Sequence, residues 1–162
     1  MGLLARLRRK AKDEPRAHSV YLQTVGSPIM AIDPSFTITY MNPAGARLLG
    51  LTPQECIGRK CYDLFKTDDC RTANCACAQA MQFREARTGR TISRAGGGAL
   101  PIQYSGAPLL GTNGEVLGAV EYVTDLSEIY AVVQEVMALS DQLAQSSEQL
   151  AETAQSSGQA TQ

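Results

Sequence analysis

Between Ile129 and Ser157 the chain contains neither proline nor glycine. This stretch constrains the fold more than any other, because such a run of Ala, Gln, Glu, Ser, Leu and Val reads as one long helix. Stepping by three and four from Ile129 meets Val132, Val136, Leu139, Leu143, Ser146, Leu150 and Thr153, seven intervals in strict heptad register. A helix of this length extends on the order of 50 Å at 1.5 Å per residue. A small domain cannot cover its stripe, so a second copy of the chain is the expected partner. Ile129, Val132, Val136, Leu139, Leu143 and Leu150 are the expected contacts of a homodimer. The first half of the seam is apolar and the second thins to small polar residues. The alternative is a solitary amphipathic tail.

The chain has 162 residues, 44% of them hydrophobic and 19% charged, which suits one domain with a buried core. Collagen-like, mucin-like and wholly disordered chains are excluded. No apolar run reaches the roughly 18 residues of a membrane span. The first residues, Met1 to Lys10, are basic but lack the apolar core and cleavage site of a secretory signal. A cytoplasmic chain is expected, with its five cysteines reduced as free thiols, metal ligands or redox switches. Net charge divides the chain into three pieces. Residues 1–17 carry +4, residues 18–127 carry zero and residues 128–162 carry −5. The basic start reads as a solvated terminus, the alternative being a contact for an anionic membrane surface or nucleic acid.

Residues 18–127 alternate between strand and helix signals. His18 to Ser27 reads as a short helical lead-in, and Pro28 to Asp33 as a strand. Asp33-Pro34-Ser35-Phe36 is a turn, and Phe36 to Met41 the returning strand. Asn42-Pro43 and Thr52-Pro53-Gln54-Glu55 are helix starts, and Gly50 and Gly58 are stops. Lys60 to Phe65 is a further helical turn and Lys66 to Asn74 a loop. Cys75 to Thr88 reads as a longer helix, with Ala76, Ala80, Met81 and Phe83 toward its buried side and Gly89 as its stop. Three strands follow over Thr91 to Ala95, Leu100 to Leu110 and Val116 to Val123, with Thr112-Asn113-Gly114 as a hairpin turn. The expectation is an α+β fold: a five-stranded antiparallel sheet with short helices on one face, followed by a long C-terminal coiled-coil helix.

This order resembles a PAS sensory domain. The resemblance rests on the hairpin ending Tyr40-Met41-Asn42-Pro43-Ala44, on Ile57-Gly58-Arg59-Lys60 and on Val123-Thr124-Asp125-Leu126-Ser127. The last is similar to the point where PAS domains hand over to an output helix, which implies Thr124 and Asp125 as a signal relay. Leu139 to Ala154 resembles the start of the cytoplasmic signalling bundle of methyl-accepting chemotaxis receptors, whose kinase-contacting hairpin lies far beyond this point. The resemblance implies either a piece of a longer receptor, with a chemotaxis kinase or adaptor as partner, or a short homologue without kinase control. It implies a sensor and no nucleic-acid partner. The alternative is a ligand-free dimerisation scaffold.

Cys56, Cys61, Cys70, Cys75 and Cys77 fall within 22 residues, and the rest of the chain has no cysteine. Cys61, Cys70, Cys75 and Cys77 are candidate ligands for Zn²⁺ or an iron–sulfur cluster. Some PAS sensor kinases hold such a cluster through paired Cys-x2-Cys motifs, which this sequence lacks. Two further readings stand beside this one: a thiol switch closing Cys70 onto Cys75 or Cys77, and inert buried thiols. Arg71 and the start of a helix at Cys75 are expected to favour thiolate. Cys-x-Cys on a helix points its sulfurs to different faces. Haem through histidine is disfavoured, since His18 is the only histidine. Cys61 aligns with the adduct cysteine of LOV photoreceptors, but Lys60, Tyr62 and Phe65 replace polar flavin contacts, which disfavours photoactive flavin. Arg59, Gln103 and Tyr104 are candidate contacts for a small ligand in the cavity. No general-base histidine or phosphate loop lies in the domain, so an enzyme is not expected.

Overall fold

One carboxylate makes the first turn of the sheet. Asp33 Oδ1 accepts hydrogen bonds from the backbone N–H groups of Ser35 at 2.9 Å and Thr37 at 2.8 Å. This Asx turn reverses the chain between β1 (Ile29–Ile32) and β2 (Ile38–Met41). The computed structural model describes residues 20–159, so the basic segment over 1–17 and His18 lie outside the described residues. Of the described residues, those up to Asp125 form one unit and those from Leu126 a second.

Asn42 fastens the next elements. It is fully buried and caps α2 (Pro43–Leu48), its Oδ1 accepting from Gly45 N–H at 2.8 Å and from Ile29 N–H at 2.9 Å. Its Nδ2 donates to the carbonyls of Leu22, Val25 and Ser27, which ties down the helical residues 20–24 (α1) and the approach to β1. A capping box between Thr52 and Glu55 starts α3 (Pro53–Cys56). Next come α4 (Cys61–Phe65), a polar loop, and α5 (Ala76–Phe83).

The remaining strands are β3 (Arg87–Ser93), β4 (Leu100–Leu110) and β5 (Val116–Asp125). The strand order is β2-β1-β5-β4-β3 and every neighbour is antiparallel. β5 is the central strand. The helices cover the face that carries Met30, Ile32, Ile38, Met41 and Ala119, with Ala46, Cys56, Leu64, Phe65 and Cys77 completing the core.

The expected helix over 75–88 is shorter than its sequence pattern suggests. It stops at Phe83, Arg84 turns left-handed at φ 58°, and Thr88 and Gly89 belong to β3, which starts four residues earlier than the expected Thr91. Phe83 is 53% exposed rather than on the buried side. Gly89 is a packing glycine and not a helix stop: a Cβ there would lie 2.9 Å from the Tyr104 ring. β5 also runs two residues beyond the expected Val123, through Thr124 and Asp125.

The second unit contains α6 (Ser127–Gln159), a helix of 33 residues. Ile129, Val132, Val136, Leu139, Leu143 and Leu150 are each at least 56% exposed. No helix among the described residues is long and apolar enough to cross a membrane.

Asn42→Ala removes the shared partner of five backbone groups. It is expected to lower unfolding stability by about 3 kcal/mol, since each buried group left unpaired costs roughly 1–3 kcal/mol. Urea denaturation measures this, and a loss below about 1 kcal/mol would contradict the fastening role.

Candidate functional site

Four of the five cysteines converge on one small cavity. Cys61 opens α4, Cys70 lies in the loop, Cys75 precedes α5 and Cys77 stands in its first turn. Met30, Phe65, Thr67, Tyr104 and Glu121 complete the lining of a cavity of about 20 Å³. Cys56 is buried elsewhere in the core, its thiol donating to the Thr52 carbonyl at 3.4 Å.

The loop before α5 is held from several sides, which is what brings its sulfurs inward. Asp68 N–H donates to the Ile92 carbonyl at 3.3 Å, and the Asp68 carboxylate pairs with Arg94. The Tyr104 hydroxyl donates to Asp69 Oδ2 at 2.8 Å and accepts from Ala76 N–H at 3.2 Å, bridging the loop to the start of α5. Cys70 Sγ receives the Thr67 N–H at 3.3 Å and lies 3.1 Å from the Thr67 hydroxyl.

The Cys-x-Cys pair does not separate as expected. Cys75 caps the helix from outside, with ψ 113°, so its sulfur is not bound to helical spacing. Both Cys75 and Cys77 therefore reach the same cavity. The expectation that a helix start favours the Cys75 thiolate is also corrected. Burial outweighs the backbone hydrogen bonds there and pushes the thiol up. Arg71 turns aside, its guanidinium 4.1 Å from the Tyr62 ring centre and paired with Asp63 at 3.4 Å.

Glu121 is the site residue that the sequence reading missed. It stands on β5 between the inward residues Ala119 and Val123, and only 8% of it is exposed. The Cys77 thiol donates to its Oε2 at 3.0 Å. Burial raises the Glu121 pKa to about 7, although the Cys77 hydrogen bond pulls it down. Burial, and then the charge of Glu121, push the thiols of Cys61 and Cys77 far upward. An acid at an inward position of an alternating strand was the available signal.

The other predicted residues separate. Tyr104 lines the cavity, and burial holds its hydroxyl protonated. Gln103 lies on the opposite face of β4 and accepts from Arg90 Nε at 3.1 Å. Arg59 is exposed and borders a different cavity with Asp63 and Arg94. Thr124 and Asp125 close β5, paired with Gln103 and Ile102. Among the described residues no three His, Cys, Asp or Glu side chains stand close enough together to hold a metal ion as placed. A second cavity of about 260 Å³ shares Cys61, Cys70 and Cys75 with the first, and Phe36, Tyr62, Arg71, Thr72 and Ala78 also line it.

The sheet order and the helix-covered face match a known family over most of the chain. The PAS fold family matches residues 22–131. The chain belongs to the PAS family. The PAS domain of a protein from Colwellia psychrerythraea is similar at 20% identity and TM-score 0.59, covering 75% of this chain and 98% of that one. An RNA-binding light-oxygen-voltage receptor is similar at 22% identity and TM-score 0.66, with 80% of this chain and 38% of that one covered. The VqmA dimer of Vibrio cholerae, described with LuxR-type receptors, is similar at 20% identity and TM-score 0.55, with 70% and 52% covered. No curated protein matches the chain. The PAS assignment carries a role in signal sensing.

Glu121 makes stability pH-dependent with a definite sign. Its carboxyl stays protonated to about pH 7 in the folded chain but ionises near 4.5 when unfolded. Its contribution is therefore fully present below about pH 4.5 and is lost as pH rises through about 7. Glu121→Gln is expected to become more stable relative to the parent across this window, by up to about 3 kcal/mol at pH 8. Denaturation of both chains from pH 4 to 8 checks this, and parallel profiles would contradict it.

Proposed function

We propose that this PAS module is a non-enzymatic cytoplasmic sensor that reads its stimulus at the four-cysteine cavity and passes it through β5 into paired α6 helices. The observation that carries the reading is Glu121. It faces the thiols from the central strand, and that strand ends at Asp125, two residues before α6 begins at Ser127. A stimulus that changes the state of the sulfurs alters the Cys77–Glu121 contact and shifts β5 against its neighbours. Val123, Thr124 and Asp125 are the relay from there. Sensing is then a two-state equilibrium biased by a local event.

The homodimer reading rests on the apolar heptad seam from Ile129 to Leu143, which is exposed along its length. VqmA of Vibrio cholerae is described as a dimer and supports pairing as a mode of PAS action. The resemblance of Leu139 to Ala154 to the signalling bundle of chemotaxis receptors supports a chemotaxis-type receptor, with a kinase or adaptor downstream. In that setting the output is rotation or register of the helix pair.

The test uses the reduced full chain and N-ethylmaleimide as the thiol probe. Alkylation is expected to change amide hydrogen exchange over residues 116–139, and the Cys61→Ser/Cys70→Ser/Cys75→Ser variant is expected not to respond. Light scattering is expected to give a dimer that Val136→Glu/Leu143→Glu converts to monomer. Quantitative alkylation with unchanged exchange would overturn the sensing reading and leave a scaffold. A monomeric parent chain would overturn the pairing.

A further inference from the structure

Two residues in the wall of the larger cavity hold backbone conformations that cost energy. Phe36 has φ 63° and Arg71 φ 62°, in the left-handed region that bulky side chains avoid. Both line the cavity of about 260 Å³. Strain of this kind persists only where the surrounding structure over-determines it, and it clusters at ligand sites. No strand lines this cavity. Phe36 lies in the turn before β2, and the other walls are α4, the loop after it and the start of α5. It is an outer pocket set among the helices and loops, whereas the small inner cavity takes Met30, Tyr104 and Glu121 from the sheet.

Its size and lining narrow what it can hold. An apolar cavity of roughly 150 Å³ takes benzene, and drug-sized pockets begin near roughly 300 Å³. The outer cavity therefore fits a compound with one substituted ring. The half-buried rings of Phe36 and Tyr62, tilted at 56° with centroids 6.4 Å apart, make an apolar corner. The Thr72 hydroxyl is already committed, donating to the Asp69 carbonyl at 2.8 Å and accepting from the Asn74 N–H at 3.1 Å. The charged group in the lining is the Arg71 guanidinium. Its ion pair with Asp63 is exposed on both sides, so little holds it there. Cys61, Cys70 and Cys75 supply the thiols. An apolar body, a soft electrophilic carbon and an oxygen that can take negative charge match such a wall.

Cys70 is the thiol best placed to react. Burial pushes the thiols of Cys61 and Cys75 up, which withholds the thiolate that acts as nucleophile. Cys77 does not line the outer cavity and donates to Glu121. Cys70 adjoins Arg71, and its Sγ is held in place by the Thr67 N–H at 3.3 Å.

We propose that the outer cavity captures a small apolar α,β-unsaturated carbonyl compound and that Cys70 adds to it, with Arg71 receiving the charge that forms on oxygen. The inference rests on the sensing role above and names its stimulus. The Cys70 thiol releases its proton to solvent, and its sulfur forms a C–S bond to the β-carbon. The electron pair of the C=C bond shifts toward the carbonyl, giving an enolate whose oxygen faces the Arg71 guanidinium. Protonation of the α-carbon from solvent completes a thioether. No atom is lost and no oxidant is consumed. Cys70 lines both cavities, so the adduct alters a wall that Glu121 shares.

The experiment treats the reduced full chain with 2-cyclohexen-1-one, and in parallel with acrylamide, a polar acceptor without a ring. Peptide mapping is expected to find the first adduct at Cys70 with both reagents. Divided by the rate of free glutathione, the cyclohexenone rate at Cys70 is expected to exceed the acrylamide rate at least about tenfold, a comparison that needs no variant to fold. Phe36→Gly removes the ring where glycine suits the backbone, and is expected to erase most of that advantage. Arg71→Gln is expected to slow cyclohexenone addition about tenfold but not alkylation by iodoacetamide, a displacement that builds no oxyanion. A first adduct at another cysteine, or no advantage of cyclohexenone over acrylamide, would overturn the proposal. Equal slowing of both reagents in Arg71→Gln would overturn the role of Arg71. The exchange response to N-ethylmaleimide over residues 116–139 is a separate reading. Lost selectivity with that response intact sinks this inference alone, and selective Cys70 addition with unchanged exchange sinks the sensing role.

Discussion

The close approach of α5 to the sheet sets the rest of the site. Gly106 on β4 lies under the start of this helix, and a Cβ there would stand 2.9 Å from Cys77 Cα and N. The helix answers with small residues, Ala76, Cys77 and Ala80, all nearly or fully buried. Packing without voids is possible at this distance only because neither surface carries a large side chain. Two consequences follow. Cys77 is pressed against β5, where it meets Glu121, and the Tyr104 hydroxyl comes within hydrogen-bond reach of the Ala76 N–H. Gly89 on β3 then provides the space for the Tyr104 ring.

Burying Glu121 has a thermodynamic cost that a core of this size does not need for folding. Its inward position would accept an apolar side chain, as Ala119 and Val123 show on the same face. A carboxyl with one hydrogen bond and no facing cation is poorly compensated, which is why its proton is held so tightly. Imperfect compensation supports the proposed sensing role of this site, in which two arrangements lie close in free energy. The bond from Cys77 joins a helix to the central strand, and that strand leads by covalent continuity to α6.

Much of the architecture was legible in the sequence because its signals are local. Asn42-Pro43, the Thr52–Glu55 capping box and the Asp33 turn each act over a few residues, and Leu100 to Leu110 reads directly as β4. The α5–β3 boundary was not legible. Gly89 looks like a helix stop, and only the distant Tyr104 reveals it as a packing glycine in a strand. Clustering named the four cysteines, but their convergence depends on Cys75 standing outside the helix and on a loop fastened by Asp68 and Asp69. Glu121 carried one local signal, an acid at an inward strand position, but its pairing with Cys77 was hidden because the two are 44 residues apart. Gln103 was misplaced by parity, since strand alternation turns it away from the cavity that Tyr104 faces.

The central claim is that the Cys77 thiol and the Glu121 carboxyl act as one contact joining α5 to β5. A double-mutant cycle of Cys77→Ala and Glu121→Val tests it most directly, with unfolding free energies measured at pH 6 in the reduced chain. The account predicts that the two changes are non-additive by about 1–3 kcal/mol. Effects that sum to within about 0.3 kcal/mol would show that the two residues do not interact, and would contradict it.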